Sequence, residues 1–424
     1  MIFQWGLTYR FFLALPLTNT LVPICLPTAY LWLVDTLALR RGTWVIESGT
    51  KVNIQLWNSL EAEEALFFLV TNVMVVFGLV AIDNAAAVYQ YMVATSDAVK
   101  DPSILQLIVL FLTHRREYDR NFISGLSQAV YDLQSKSQSM YLGSMLFDSP
   151  LQIDLIFLYS FCRKMDDLVD EAIDRDTARY WIQQCSKSLA VIFNHIKVDA
   201  DGNKGLERLI PPTLFLPICL LPASRLSSQP LYNLLKGFEM DLEFDSKAGT
   251  FPIATENDLE LYAFRVASTV AASVLNLIFY HHQEDIKNDD YVRLIAAAER
   301  MGQALQYVNI ARDIVQDAQY QRVYFPTSWL NEEGLTPSMV VENPTHPRLA
   351  VLRDRLLDKA ETCAKDSQEA IDELPSKIRG PLRVTILSYM EIGKALRELQ
   401  VSACDSKLKL PWWRLFKVAW AATY

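Results

Sequence analysis

The sequence predicts an all-α protein, a helical bundle around a central cavity, preceded by transmembrane helices. Three observations predict it. Apolar residues recur at three- and four-residue spacing through 151–172, 258–282, 290–317 and 350–400, and strand-like alternation is absent. Two uncharged runs near the start, Phe11 to Val34 and Ala65 to Ile82, are long enough to cross a bilayer. Two segments about 150 residues apart each place aspartates four residues apart inside an apolar helical pattern.

Composition narrows the function. With 424 residues the chain has room for two or three domains and a large core. Hydrophobic residues make up 51% and mean hydropathy is +0.11, so membrane segments are expected. A net charge of −9 argues against a nucleic-acid partner, because nothing would neutralise phosphates over a wide surface. The six cysteines lie far apart without CxxC spacing, which reads as reduced thiols in a cytosol-facing protein. No basic n-region or small-residue cleavage site marks a signal peptide.

Taken in order, residues 11–34 would span roughly 36 Å as a helix, kinked at Pro16, Pro23 and Pro27. Residues 65–82 would span roughly 27 Å. Between them Trp44 and Trp57 stand where interfacial aromatics are expected. Glu61, Glu63 and Glu64 precede the second run; acid chemistry at the membrane surface is one reading, but from spacing alone acidic side chains at a helix N-terminus are the better one. His114, Arg115, Arg116 and Arg120 form a basic turn, and the domain boundary is placed near residue 115, dividing 1–115 from 116–424. Five prolines between 211 and 230 predict an interruption and a surface excursion approached by the sequence DADGNKG at 199–205. The tail PWWRLFKVAWAATY reads as an amphipathic piece that rests on a membrane or packs on the body.

The acidic segments carry the chemistry. The first holds Asp166, Asp167 and Asp170; the second holds Asp313 and Asp317, with Asn309 one turn earlier on the same face. Carboxylates at i and i+4 share a helix face, so each segment presents hard oxygen ligands to one volume. Opposed across a cavity, they would hold two or three Mg²⁺ ions, or Mn²⁺ in their place, and through them a diphosphate. Arg163 and Arg312 stand beside each group, and structural ion pairs are the plainer reading of either segment alone. An ionised allylic diphosphate needs apolar walls, for which Tyr159, Phe161, Phe264, Val266, Val270, Leu275 and Phe279 are candidates at helical spacing.

These segments resemble those of the phytoene and squalene synthase family. YSFCRKMDDLVDE is similar to its first aspartate-rich motif, with Tyr159, Arg163, Asp166, Asp167 and Asp170 in register. QYVNIARDIVQD is similar to the second, carrying Gln306, Asn309, Arg312, Asp313 and Asp317, followed by the matching Arg322, Tyr324 and Pro326. SQSMYLGS resembles the family's serine-rich position near the diphosphate, with Ser137, Ser139 and Tyr141 as substrate contacts and Gln138 and Met140 in place of a basic and an aromatic residue. YAFRVASTVA resembles a tyrosine-initiated segment; Tyr262 matches, while Ser268 and Ala271 stand where the family has glycines.

The resemblance covers roughly residues 120 to 400. It implies an isoprenoid-synthase-type bundle in which Tyr159, Arg163, Tyr262, Gln306, Arg312 and Tyr324 act catalytically. It implies that Arg163, Arg312 and Arg322 bind substrate, and that Asp166, Asp167, Asp170, Asn309, Asp313 and Asp317 bind metal. The implied reaction condenses two geranylgeranyl diphosphates to phytoene through a cyclopropyl diphosphate. A farnesyl diphosphate-using squalene or dehydrosqualene synthase, and a silent membrane-anchored binding protein, are the alternatives. The N-terminal stretch GTWVIESGTKVNIQLW with EEALFFLVTNVMVVFGLVAIDNA resembles one repeat of the membrane lycopene cyclase domain, with Glu63 and Glu64 on its paired glutamates. A partial cyclase domain implies an integral membrane anchor, membrane lipid as a partner, and a synthase domain facing the cytosol.

Overall fold

The computed structural model describes residues 15–45, 59–95, 119–194, 206–283, 290–398 and 410–423, with scattered positions between 6 and 13, between 49 and 57, and at 105. The basic turn expected at residues 114–116 and the approach at 199–205 lie outside them. The chain divides into two compact units, residues 1–118 and 119–424.

In the first unit, helix α1 (Leu17–Arg40) and helix α2 (Ala62–Thr95) flank a two-stranded antiparallel hairpin, β1 (Gln55–Trp57) and β2 (Leu60–Glu61). Helix α1 begins later than the uncharged run because Pro16 sits at its N-cap, and it continues past Asp35, whose carboxylate is buried and accepts from Trp44 Nε1 at 3.1 Å. Polar bonds tie the two helices together: Asn72 donates to Thr28 Oγ1 at 2.9 Å and Trp32 Nε1 to the Ala65 carbonyl at 2.9 Å. Both helices are long and apolar enough to cross a membrane, and only 22% of each span is buried. Leu21, Leu26, Phe67 and Leu79 all point outward, a surface suited to hydrocarbon and costly in water.

Among the described residues, the regular structure of the second unit is helical apart from an isolated bridge between Asp245 and Thr250. Its helices are α3 (Arg120–Lys136), α4 (Gln138–Ser144), α5 (Ser149–Asp170), α6 (Arg175–Asn194), α7 (Pro212–Cys219), α8 (Ser228–Asp241), α9 (Glu256–His281), α10 (Tyr291–Gln319), α11 (Thr327–Glu332), α12 (Pro337–Glu342), α13 (Leu349–Asp372), α14 (Ser376–Glu398) and α15 (Trp412–Thr423). Two apolar cores hold it together. One gathers Leu158, Phe161, Leu189 and Leu234, the other Tyr307, Trp329, Leu356 and Leu396. Each such burial contributes about 1.5–3 kcal/mol. Arg355 lies 3.9 Å from the Trp329 ring centroid, a cation closing that core.

The proline-rich stretch is no surface excursion. Pro211 and Pro212 start α7, where a missing N–H costs nothing, Pro222 caps a 3₁₀ turn and Pro230 sits in the first turn of α8. Leu214 and Ile218 are consequently buried in the first core. The tail packs on the body: Arg414 reaches Glu391 at 2.9 Å and Glu398 at 2.6 Å, while Trp412, Phe416 and Trp420 stay exposed.

Helix α9 is also long and apolar enough to span a membrane, but half of its span is buried and it lines the unit's cavity. It carries a π-helical turn at Phe264–Ser268. Two glycines let other helices close on that turn. A Cβ at Gly237 would fall 2.6 Å from Val266, and one at Gly302 would fall 2.6 Å from the Ser268 backbone.

Candidate active site

A cavity of about 520 Å³ runs between the helices and draws its walls from both cores. Leu158, Leu234, Val270, Leu275 and Met301 make it apolar over most of its length; Asp166, Asp241 and Asp313 gather at one pole. Of the expected lining residues, Tyr159, Val266, Val270 and Leu275 face it. Phe161, Phe264 and Phe279 do not: Phe161 is fully buried in the first core, and Phe279 packs edge-on against Tyr291 at 4.8 Å. Helical spacing allowed either face, and the direction of packing decided.

Helix α5 supplies one acidic wall. Arg163 reaches forward along its own helix to Asp166 at 2.8 Å and Asp167 at 2.6 Å, and Lys136 of α3 also pairs with Asp167. Burial pushes Asp166 up to about 7, helped by the like charges of Asp170 and Asp241 and opposed by Arg163. Tyr159, one turn before Arg163, hydrogen-bonds the Ser137 side chain, and burial raises its hydroxyl to about 12. Met140 lines the cavity and Tyr141 does not; of Gln138 and Ser139 only the backbone is described.

Helix α10 supplies the other wall. It is rich in strong helix formers, AAAERMGQALQ, and runs unbroken for 29 residues to Gln319. Gln306, Asn309, Arg312 and Asp313 face the cavity on successive turns. Arg312 clamps Asp313 with two bonds, at 2.8 and 2.6 Å. Asn309 Oδ1 is buried without a hydrogen-bond partner, an oxygen aimed where a cation would satisfy it. Asp317 is driven well above the usual carboxylate range by burial first and by its neighbours Asp313 and Asp241 next.

The two walls meet. After α10 the chain reverses at Gln321, whose positive φ of 61° is held by its bond to Ser246 Oγ at 2.6 Å. That reversal sends Arg322 back across to Asp170 at 2.8 Å, while its charge also bears on Asp317 and Asp241. Asp170 and Asp317, 147 positions apart (317 − 170), therefore share one guanidinium.

Among the described residues no three acidic, imidazole or thiol groups close on a single point. The reason is visible: the carboxylates of Asp166, Asp167, Asp170 and Asp313 are each turned onto an arginine or lysine. The donor set is nevertheless all oxygen, crowded with like charge, and includes the orphaned Asn309 Oδ1. Such a set fits a hard divalent cation.

The sequence reading missed Asp241. It ends α8, is buried, and accepts from Tyr324 OH at 2.7 Å and Tyr262 OH at 3.3 Å. It sits in an acidic run, FEMDLEFD, which reads as a solvated helix end and hides the one buried acid among more exposed ones. Ser268, expected to matter for the cavity, is turned away and donates to the Glu299 carbonyl at 2.6 Å, whereas Ala271 does line the wall.

A family profile for squalene/phytoene synthase matches residues 133–414. The chain belongs to that family. It is 56% identical over 427 residues to a bifunctional lycopene cyclase/phytoene synthase of Arthroderma gypseum, covering all of this chain and 72% of that protein. Against the protein of the same name from Aspergillus oryzae it is 45% identical, covering 97% of this chain and 71% of the other. Among solved structures, a dehydrosqualene synthase crystallised with a ligand superposes with a TM-score of 0.56 at 23% identity, covering 72% of this chain and 96% of that one. A squalene synthase from Alicyclobacillus acidocaldarius gives 0.51 at 19%. These confirm an all-α squalene/phytoene synthase fold, and membership makes the chain a prenyltransferase-type enzyme.

Proposed function

We propose that the second unit condenses two geranylgeranyl diphosphates head to head into phytoene, in carotenoid biosynthesis. The observation that carries this is the convergence of two acidic helix faces on one pole of an otherwise apolar cavity, joined through Arg322. That the relatives are named phytoene synthases supports a C20 rather than a C15 substrate.

Asp166, Asp170, Asp313 and Asp317 with Asn309, and Asp167 on the outer side of its wall, are the residues that would hold Mg²⁺. Bound there, the metal would neutralise the diphosphate and act as a Lewis acid toward the leaving group. The protein's own part is to bind and to exclude. Arg163, Arg312 and Arg322, now paired with the same carboxylates, are the cations available to diphosphate oxygens. The apolar walls keep water from the cation once the allylic C–O bond breaks and both electrons depart with diphosphate. The second substrate's double bond then attacks, and loss of a proton closes the cyclopropyl diphosphate. A second ionisation, rearrangement and proton loss yield phytoene.

The first unit serves as an integral membrane anchor resembling part of a lycopene cyclase, with the synthase unit on the cytosolic side. Apolar substrates and product suit that attachment. Incubating purified protein with Mg²⁺ and geranylgeranyl or farnesyl diphosphate separately tests the proposal. A C40 hydrocarbon from the former is expected; product from farnesyl diphosphate alone would replace this reading with a squalene-type one.

A further inference from the structure

Building on that reaction, we propose that Asp241 is a positioning residue for the ionisation step, holding the Tyr262 phenol against the place where the allylic cation forms. Asp241 lies between core and cavity. One oxygen accepts from Tyr324, which is buried behind the wall; the other accepts from Tyr262, which lines it. The two rings stack with centroids 4.7 Å apart and 24° between planes, and Phe244 meets Tyr324 edge-on at 5.2 Å. A chain of contacts thus runs from Phe244 through Tyr324 and Asp241 to the cavity face of Tyr262. It joins three elements: the end of α8, the segment after α10, and α9 just ahead of its π-helical turn.

Asp241 differs in its partners from four of the acids around it. Asp166, Asp167, Asp170 and Asp313 each have an arginine or lysine within salt-bridge distance, whereas among the described residues Asp241 has only the two neutral phenols. Arg322, whose charge also bears on Asp241, is bonded to Asp170, so the Asp241 charge is offset only in part and still acts on whatever occupies that end of the cavity. A negative charge bonded to the hydroxyl of an electron-rich ring is suited to a developing carbocation. When the allylic C–O bond breaks, the electron pair leaves with diphosphate. Nothing is transferred to Tyr262 or Asp241; they stabilise the charge left on carbon, and the bond to Asp241 keeps the ring from turning aside.

The test compares Asp241→Asn, Tyr324→Phe, Tyr262→Phe and the double variant Asp241→Asn/Tyr262→Phe in the full chain. Turnover, KM, Mg²⁺ half-saturation and the ratio of prenyl alcohol to condensed hydrocarbon are read together. Asp241→Asn is expected to lower kcat by about 10²-fold, as removal of a preorganised charge-stabilising group does. KM and Mg²⁺ half-saturation should stay within about threefold, and the alcohol share should rise because water captures a poorly held cation. Tyr324→Phe, one layer behind the cavity wall, should raise the alcohol share in the same direction with a smaller loss of rate. The double variant should be no more than about twofold slower than Tyr262→Phe alone, because both act through one ring. A wild-type alcohol share in Asp241→Asn and Tyr324→Phe would overturn the inference and leave Asp241 a structural cross-link. Full recovery at high Mg²⁺ would also overturn it and make Asp241 a metal ligand. If Asp241→Asn does not accumulate folded, Tyr324→Phe decides by itself. If the wild type releases no diphosphate from either prenyl diphosphate, the proposed function fails first and this inference fails with it.

Discussion

The contact between α10 and the π-helical turn of α9 makes Gly302 a sensitive position, one turn before the acidic stretch of α10. In Gly302→Ala the new Cβ would lie 2.6 Å from Ser268 Cα and 2.8 Å from both the Ala267 carbonyl carbon and its oxygen. All three are backbone atoms, so no side chain can swing aside. Ordinary contact begins near 3.4 Å, and the two helices must therefore separate by about 0.8 Å (3.4 − 2.6). Overpacking of this kind costs about 2–3 kcal/mol, and the better helix propensity of alanine returns about 1 kcal/mol, leaving a net loss of about 1–2 kcal/mol. Gln306, Asn309 and Asp313 ride on the same helix, so the shift also moves one acidic wall against the other. A misplacement near 1 Å can cost about 10²-fold in rate, and a fall of about 10- to 100-fold is expected here. Gly393→Ala is the matched control. Its Cβ would meet only side-chain methyls, Leu357 at 3.3 Å and Val308 at 3.5 Å, and alanine should be neutral or slightly stabilising. Thermal unfolding of the second unit and diphosphate release measure both variants. If Gly302→Ala melts and turns over like Gly393→Ala, the close approach is not what aligns the walls.

Asp166→Asn and Asp313→Asn should each lower turnover by about two orders of magnitude or more at unchanged helix content, as removal of a charged metal ligand does; near-wild-type rates in both would remove the metal assignment. Glu63→Gln should leave phytoene formation intact, since Glu63 lies in the first unit and accepts there from the Val52 backbone N–H; a large loss would show that the two units share the reaction. The Cys162 thiol is pushed up to about 12 by burial, with Asp166 adding to it, so its alkylation by iodoacetamide in the folded protein should stay negligible between pH 7 and 9. Rapid labelling that follows pH, located by mass spectrometry, would mean that this wall of the cavity opens to solvent.

Much of this was legible beforehand because the signals were repeated. Asp166 and Asp170, then Asp313 and Asp317, recur at helical spacing in apolar surroundings, and two such coincidences are hard to produce on a solvated surface. The spans were legible as uncharged runs, but their ends were not. Pro16 delays α1, and burial with Trp44 lets it continue through Asp35. The prolines from 211 to 230 misled because position within a turn decides whether proline breaks a helix or starts one. Asp241 was invisible for a different reason. Its role comes from two phenols, 21 and 83 residues further along, that the fold brings to its oxygens.

Charge at the acidic pole explains why metal and diphosphate should bind together. Six carboxylates, Asp166, Asp167, Asp170, Asp241, Asp313 and Asp317, face four cations, Lys136, Arg163, Arg312 and Arg322, leaving two negative charges in excess (six minus four). Burial and mutual repulsion already push Asp166 to about 7 and Asp241 to about 6, so the pole resists full ionisation. A diphosphate alone adds charge of the wrong sign to a site whose arginines are occupied. A divalent cation that takes the carboxylates frees those arginines for the diphosphate, and the diphosphate in turn neutralises the metal. Each should therefore strengthen the other's binding by at least about tenfold, a coupling of about 1.4 kcal/mol. Titration calorimetry with inorganic diphosphate, in EDTA and then in Mg²⁺, measures it directly. Equal affinity in the two buffers would mean that the arginines are free to begin with, and that the ion pairs seen between the walls do not guard the site.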